Sequence, residues 1–166
     1  PGMSSALQYP FTEPPASGHR IQVAPGVHWL HFPLPFSLDH INLWLLEDGD
    51  GWTLVDTGFG SRATRELWRA AFDSALDGRP IRRILVTHYH PDHIGQAAWL
   101  AGHFQAPVWM TEGEWALTHR LQTASDEAVA EGFRRLFGRH GLGGDALDTL
   151  AGRGNSYRKV MPELPP

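Results

Sequence analysis

Three histidines and one aspartate fall within six consecutive positions of the chain, namely His88, His90, Asp92 and His93. Imidazole nitrogen and carboxylate oxygen are the donors that zinc and similar divalent metals bind, at about 2.0–2.2 Å. His88 and His90 are two positions apart, so their rings point to the same side of an extended loop. Four such donors can hold one ion, or two ions that lie roughly 3.5–4 Å apart, as in paired hydrolytic sites. This segment therefore predicts a metal centre.

The residues on either side of the donors predict how they are positioned. Ile84–Val86 is a short apolar run with branched side chains, which is typical of a buried strand. Pro91 cannot extend that strand but suits the first turn of a helix, which we expect to run from Asp92 to about Phe104. The donors then lie at the carboxyl end of a strand, where α/β sheets tend to bind ligands, and face the positive end of a helix.

The remaining pattern predicts alternating strands and helices. Strands are expected over residues 20–23, 27–32, 40–46, 52–55, 81–86 and 107–110. Helices are expected over residues 61–77, 112–122 and 125–137, and a glycine-rich loop over residues 138–154. Because a helix separates the fourth strand from the fifth, these two strands should be parallel neighbours.

Two segments resemble those of the metallo-β-lactamase superfamily. The order Thr87-His88-Tyr89-His90-Pro91-Asp92-His93 resembles its signature, and Asp56-Thr57-Gly58 resembles its Asp-Thr-Gly turn. The likeness extends over roughly residues 20–115. It implies an α+β fold, the αβ/βα sandwich of that superfamily, of which this chain has the N-terminal portion, with a mixed sheet and packed helices. We expect an irregular arm over residues 1–18 and this domain, incomplete at its C-terminus, over residues 19–166, with a helical, lid-like region at 112–154.

The resemblance also implies a role for each donor. His88 and His90 would bind a first metal, and Asp92 and His93 a second. Asp92 would also be catalytic, because it would orient the attacking water and accept its proton. The superfamily completes its site with residues from later in the domain. His103, His119 and His140 follow in this chain, but none of them has the strand-then-loop context of a ligand.

Two further residues are candidates for supporting roles. Asp56 would lie under the segment from Thr87 to His93, called the metal loop below. It would accept hydrogen bonds from amides of this loop or from the second nitrogen of a ligand histidine. The alternative for Asp56 is an ordinary turn residue, which is common before Thr-Gly. His40, at the start of a strand, is a candidate for lining the site; the alternative is an ordinary strand residue.

Composition narrows the classes of partner. The net charge of −4 gives no electrostatic case for general nucleic-acid binding, although an RNA-contacting basic face near the C-terminus is an alternative. The chain has no cysteine and no run of 18 apolar residues, so we expect a cytoplasmic protein with no membrane partner. A small-molecule substrate is the expected partner. Self-association is also expected, because a truncated sandwich exposes a core face.

Three functions fit these residues. The first is a hydrolase that uses one or two Zn²⁺ ions to activate water against a thioester, a lactone or a phosphodiester, in the glyoxalase-II-like or ribonuclease-like branch that the resemblance suggests. The second is a single-iron dioxygenase of sulfur compounds from the same superfamily, because Fe²⁺ accepts the same donors, as does Mn²⁺. The third is a metal-binding half-domain without catalytic activity.

Overall fold

The computed structural model describes residues 8–161 and 163–165. The strands are β1 (Arg20–Ala24), β2 (Val27–Pro33), β3 (His40–Asp48), β4 (Gly51–Val55), β5 (Ile81–Leu85) and β6 (Val108–Trp109). The helices are α1 (Arg62–Ser74), α2 (Pro91–Ile94), α3 (Ala97–Phe104), α4 (Glu112–Thr123), α5 (Asp126–Arg139), α6 (Gly144–Ala151) and α7 (Ser156–Val160). Of the N-terminal arm expected over residues 1–18, residues 1–7 lie outside the described residues, and residues 8–18 contain neither helix nor strand.

The six strands form one mixed sheet in which the spatial order follows the chain order. The first four strands are antiparallel neighbours; short turns join β1 to β2 and β3 to β4, and a loop over residues 34–39 joins β2 to β3. Strand β5 is parallel to β4, and β6 is parallel to β5. The parallel β4–β5 pair predicted from the intervening helix is therefore confirmed. Val55 is paired with Leu85, so the segments that follow β4 and β5 leave the same edge of the sheet side by side.

One face of the sheet carries the core. Every second residue of β2 and β3 points to this face, and Leu30, Phe32, Leu43 and Leu45 are fully buried there. Helix α1 covers the face with Trp68, whose ring meets that of Phe32 edge-on at 5.1 Å between centroids. Packing of large apolar side chains thus holds the sheet in place, including the ends of β4 and β5 that carry the candidate site.

The opposite face carries a continuous row of half-exposed apolar side chains. One residue from each strand lies in register across all six strands: Ile21, Trp29, Trp44, Val55, Leu85 and Trp109. Trp109 keeps 55% of its surface exposed. Such a face is the surface on which self-association was expected, and that expectation stays a prediction.

Two helix predictions were wrong in detail. Helix α1 ends at Ser74 instead of residue 77, because Leu76 N donates to Ala71 O and Asp77 adopts a φ of 51°. The helix expected from Asp92 to Phe104 is two helices, which separate at Gly95 and Gln96.

The predicted loop over residues 138–154 contains α6, and α7 follows it. Leu147, Leu150 and Ala151 recur at helical spacing within this glycine-rich stretch, and α6 packs on α5. Within the described residues, no helix has both the length and the apolar character that a bilayer span requires.

Candidate metal centre

The candidate site is built at the carboxyl ends of the parallel strands β4 and β5. Asp56 follows β4, and Thr87 follows β5 after Val86. Asp56 N donates to Leu85 O at 2.8 Å, which extends the strand pairing by one residue. The backbone of Asp56 then turns with a φ of 59°, a conformation that residues other than glycine seldom adopt but that aspartate tolerates. This turn points the Asp56 carboxylate toward the segment after β5.

The Asp56 carboxylate is buried and holds that segment through three donors. Thr87 N donates to Asp56 Oδ1 at 2.8 Å, and Thr87 Oγ1 lies 2.8 Å from Oδ2. His93 Nδ1 lies 2.8 Å from Asp56 Oδ2. Thr87 Oγ1 also lies 2.9 Å from His88 Nδ1. The carboxylate therefore fixes the ring of His93 directly and that of His88 through Thr87. This contact is the one expected of Asp56 from the sequence; whether His93 is a ligand stays a prediction.

The residues after Asp56 lock the start of the helical segment that carries His93. Thr57 N and Thr57 Oγ1 both donate to His93 O, at 2.7 and 2.8 Å. Gln96 N donates to Thr57 Oγ1 at 3.1 Å. In a continuous helix this N–H would donate to the carbonyl four residues earlier, so the bond to Thr57 separates α2 from α3. A Cβ atom on Gly95 would lie 2.2 Å from Gly60 N, so only glycine allows the two backbones to approach this closely.

The four candidate ligands form two pairs of donor atoms. His88 Nε2 lies 3.0 Å from His90 Nδ1, and Asp92 Oδ2 lies 3.5 Å from His93 Nε2. Two ligands of one tetrahedral zinc ion, each about 2.0–2.1 Å from the metal, lie about 3.3 Å apart. Each pair therefore has the spacing of two ligands on one ion. The rings of His88 and His93 are 4.0 Å apart between centroids, so the two pairs are adjacent.

No third donor joins either pair within the described part of the chain. No group of three or more histidine, aspartate or glutamate side chains there is arranged to surround a single ion. The four donors thus form two adjacent pairs, and binding of an ion by either pair stays a prediction.

Local electrostatics favour the neutral form of the first candidate ligand. Burial lowers the pKa of the His88 imidazole below its usual range, and the neighbouring His93 and His90 lower it further. A neutral imidazole is the form that binds metal. The microenvironment of His88 is therefore suited to metal binding at neutral pH.

His40 has contacts elsewhere on the sheet. Its ring stacks on His31 with centroids 4.5 Å apart, and its Nδ1 lies 2.5 Å from Asp39 Oδ1. These contacts are those of an ordinary strand residue, so a role for His40 in lining the site rests on its sequence position alone.

Two residues that the sequence analysis did not single out hold the metal loop from the side. Glu114 Oε2 accepts a hydrogen bond from Tyr89 N at 2.8 Å, and Tyr157 OH donates to Tyr89 O at 2.8 Å. Glu114 and Tyr157 are 25 and 68 positions from Tyr89 along the chain. No local sequence pattern predicts contacts between such distant positions.

An apolar cleft of about 350 Å³ opens beside Asp92. It is lined by Phe36, Phe59, Pro91, Asp92, Ser156, Tyr157 and Val160. Phe36 comes from the proline-broken loop between β2 and β3, and its ring meets that of Phe59 edge-on at 5.5 Å between centroids. The cleft places an apolar surface directly next to a candidate ligand.

Comparison with known proteins agrees with this geometry. Residues 37–155 match the sequence model of the metallo-beta-lactamase superfamily. The chain belongs to this superfamily. Members of the superfamily bind divalent metals. The resemblance and the fold class expected from the sequence, a mixed sheet with packed helices, are confirmed.

Individual relatives are longer than this chain. A beta-lactamase domain protein from Burkholderia ambifaria has a crystal structure that is similar with a TM-score of 0.75 and 46% identity, over 95% of this chain and 46% of that one. Exodeoxyribonuclease YycJ of Bacillus anthracis is 34% identical over 55% of this chain and 34% of its own length. The probable metallo-hydrolase YybB of Bacillus subtilis is 35% identical over 50% of this chain and 38% of its own length. The chain therefore spans less than half the length of these three relatives.

Proposed function

We propose that this chain carries the metal-binding half of a metal-dependent hydrolase. His88 and His90 would hold one divalent ion, and Asp92 and His93 would hold a second. The observation that carries the proposal is the pairing of donor atoms at 3.0 and 3.5 Å, directly after two parallel strands. The name of the relative YybB, a probable metallo-hydrolase, supports the same reaction class.

The proposed roles of the residues follow from their contacts. A bound divalent metal would supply a water molecule whose pKa is lowered to about 7, and would polarise the bond to be broken. The Asp92 carboxylate, which borders the cleft, would orient that water and accept its proton. Asp56 would keep the Nε2 atom of His93 directed at the metal by accepting a hydrogen bond from Nδ1.

The cleft favours a particular kind of substrate. Phe36, Phe59 and Val160 offer an apolar wall, so a substrate with an apolar group next to its scissile bond would be held beside Asp92. Such a substrate is a thioester or a lactone with an apolar acyl chain. A phosphodiester is the second candidate, because the relative YycJ is named an exodeoxyribonuclease. The net charge of −4 argues against a long nucleic acid as the substrate.

Zinc is the metal we expect, because the donor set of three imidazoles and one carboxylate is common at hydrolytic zinc sites. Iron would accept the same donors and would indicate the dioxygenase alternative instead. Elemental analysis of protein purified without chelators separates the two metals.

The test of the proposal is a metal count on the double variant His88→Ala/His90→Ala. This variant should lose at least one equivalent of the zinc that the wild-type chain retains, because two imidazole donors are removed. The matched control is His119→Ala/His140→Ala, which removes a histidine of α4 and the histidine that follows α5, leaves the metal loop unchanged and should retain the metal. Zinc bound at the wild-type ratio by the His88→Ala/His90→Ala variant would rule the assignment out.

The substrate class is tested with the same proteins. Hydrolysis of an acyl thioester by the zinc-loaded wild-type chain, at a rate above that of free zinc and absent from the double variant, is the expected result. Cleavage of a bis(aryl) phosphodiester in place of the thioester would favour the second candidate.

A further inference from the structure

Tyr89, the residue between the two candidate ligands of the first metal, is held at both of its backbone polar groups. Its N–H donates to Glu114 Oε2, and its C=O accepts from Tyr157 OH, each at 2.8 Å. Both partners are side chains. Exposed backbone groups of a surface loop can bond to water, but here both groups of one residue are bonded to side chains from distant parts of the chain. The two bonds therefore fix the peptide units that join His88 to His90.

The two side chains belong to helices that are fixed to one another. Asn155, which is buried at the start of α7, donates from Nδ2 to Leu121 O and Ala124 O at the end of α4, at 2.6 and 2.9 Å. Glu114 lies in the first turn of α4, where Thr111 caps the helix. The acceptor and the donor for Tyr89 therefore come from a single unit, which cannot shift at one contact without shifting at the other.

The hydroxyl of Tyr157 is suited to its role as a donor. Burial raises the pKa of this phenol above its usual range, so it stays protonated at neutral pH. The ring of Tyr157 also lies 5.9 Å from that of Tyr89 between centroids. The contact thus combines a hydrogen bond with packing against the metal loop.

We propose that Glu114 and Tyr157 are positioning residues, which clamp the backbone of Tyr89 and so set the separation of His88 Nε2 from His90 Nδ1. In this arrangement the helices after β6 tune the affinity of the first metal position without contacting the metal. The inference rests on the proposed metal centre, since it assigns the clamp to that centre's first pair of donors. A purely structural role, in which the two bonds only attach α4 and α7 to the sheet, is the competing explanation.

The first test uses Co²⁺ as the probe and the variant Tyr157→Phe, which deletes only the hydroxyl. Co²⁺ binding is followed by its visible absorption, which reports coordination geometry as well as affinity. We expect about 3- to 10-fold weaker binding together with altered band positions, consistent with the loss of one hydrogen bond to the loop. Tyr9→Phe is the matched control, because Tyr9 is 80% exposed, and it should leave binding and spectrum unchanged.

The second test removes the carboxylate of Glu114 and then restores an acceptor oxygen at the same position. Glu114→Ala removes the acceptor for Tyr89 N and should weaken Co²⁺ binding by a similar factor. Glu114→Gln keeps an acceptor oxygen at the same place and should restore most of the affinity. Glu112→Ala is the control on the same turn of α4, since Glu112 is exposed.

The outcomes separate the clamp from the metal centre. If the wild-type chain binds no Co²⁺, the metal centre itself is overturned. If the wild-type chain binds Co²⁺ and both Tyr157→Phe and Glu114→Ala bind it with the same affinity and spectrum, the clamp is overturned while the metal centre stands. A lower thermal midpoint with an unchanged Co²⁺ spectrum identifies the purely structural role and also overturns the clamp.

Discussion

The sheet region, from β1 to β6 with α1 and α3, and the helical segment, from α4 to α7, are held together by different forces. Nearly all of the buried apolar side chains of the described chain lie in the sheet region, and Trp52, Trp68 and Phe32 are the largest of them. Among residues 112–161, all of which the structure describes, the buried hydrophobic side chains are Ala151 and Met161, and α5 contributes none.

The helical segment joins the apolar core through Met161, with Tyr157 and Leu164 packed against that core, and its other attachments are polar contacts. Asn155 links α7 to the end of α4, and Asp126 Oδ1 accepts from Asn155 N at 2.8 Å. Glu114 and Tyr157 link the segment to the metal loop. Because polar contacts contribute less to stability than a large apolar core, the comparison predicts a stable sheet region and a helical segment that opens locally at lower cost.

The largest effect is expected from truncation in the core of the sheet region. Trp68→Ala removes a fully buried ring and the hydrogen bond from its Nε1 to Thr57 O at 2.7 Å. We expect the free energy of unfolding to fall by about 3–5 kcal/mol. Phe133→Ala, in the half-buried face of α5, should lower it by about 1 kcal/mol or less. Urea denaturation measures both, and equal losses would contradict the comparison.

An intermediate effect is expected at the polar link within the helical segment. Asn155→Ala leaves the carbonyls of Leu121 and Ala124 without their donor, which should cost about 1–3 kcal/mol. Hydrogen exchange should become faster in α4 and α7 and stay unchanged in β2 to β5. Asn42→Ala, on an exposed position of β3, should leave exchange in the helices unchanged. Faster exchange throughout the sheet in Asn155→Ala would mean that the two regions open together.

The smallest effect is expected at an exposed ion pair of the sheet region. The hydrogen bond and the charge of Arg20 hold the pKa of Asp77 below its ordinary value of 3.8. A lowered pKa in the folded state contributes stability that is present above pH about 4 and is lost as the pH falls through the folded value. Asparagine also tolerates the φ of 51°, so Asp77→Asn should leave the backbone unchanged. We expect this variant to weaken the pH dependence of the free energy of unfolding only below pH about 4. Acid titrations followed by circular dichroism test this, and a changed slope near neutral pH would contradict the assignment.

Features set by neighbouring residues could be predicted from the sequence. The strands of the sheet followed from alternating or continuous apolar runs, and the parallel β4–β5 pair followed from the helix between them. The proximity of the four candidate donors followed from their spacing within six positions. These features depend on local periodicity, which a single sequence contains.

Features set by distant contacts could not be predicted. The apolar pattern of Ile94, Ala97 and Ala101 continues through the break between α2 and α3, because the break is caused by the contact of Gln96 with Thr57. The link from Tyr157 to Tyr89 spans 68 positions, and nothing at either position indicates the other. Helix α6 was not predicted because the glycines of residues 138–154 were given more weight than the helical spacing of Leu147 and Leu150.

The left-handed turn at Asp56 places one carboxylate against Thr87 and His93 at the same time. Under the proposed assignment, one side chain serves as the common support for both members of a dinuclear pair. A replacement at this position would change the support of His88 and of His93 in one mutation. Under that assignment, the affinities for the two ions depend on the same residue.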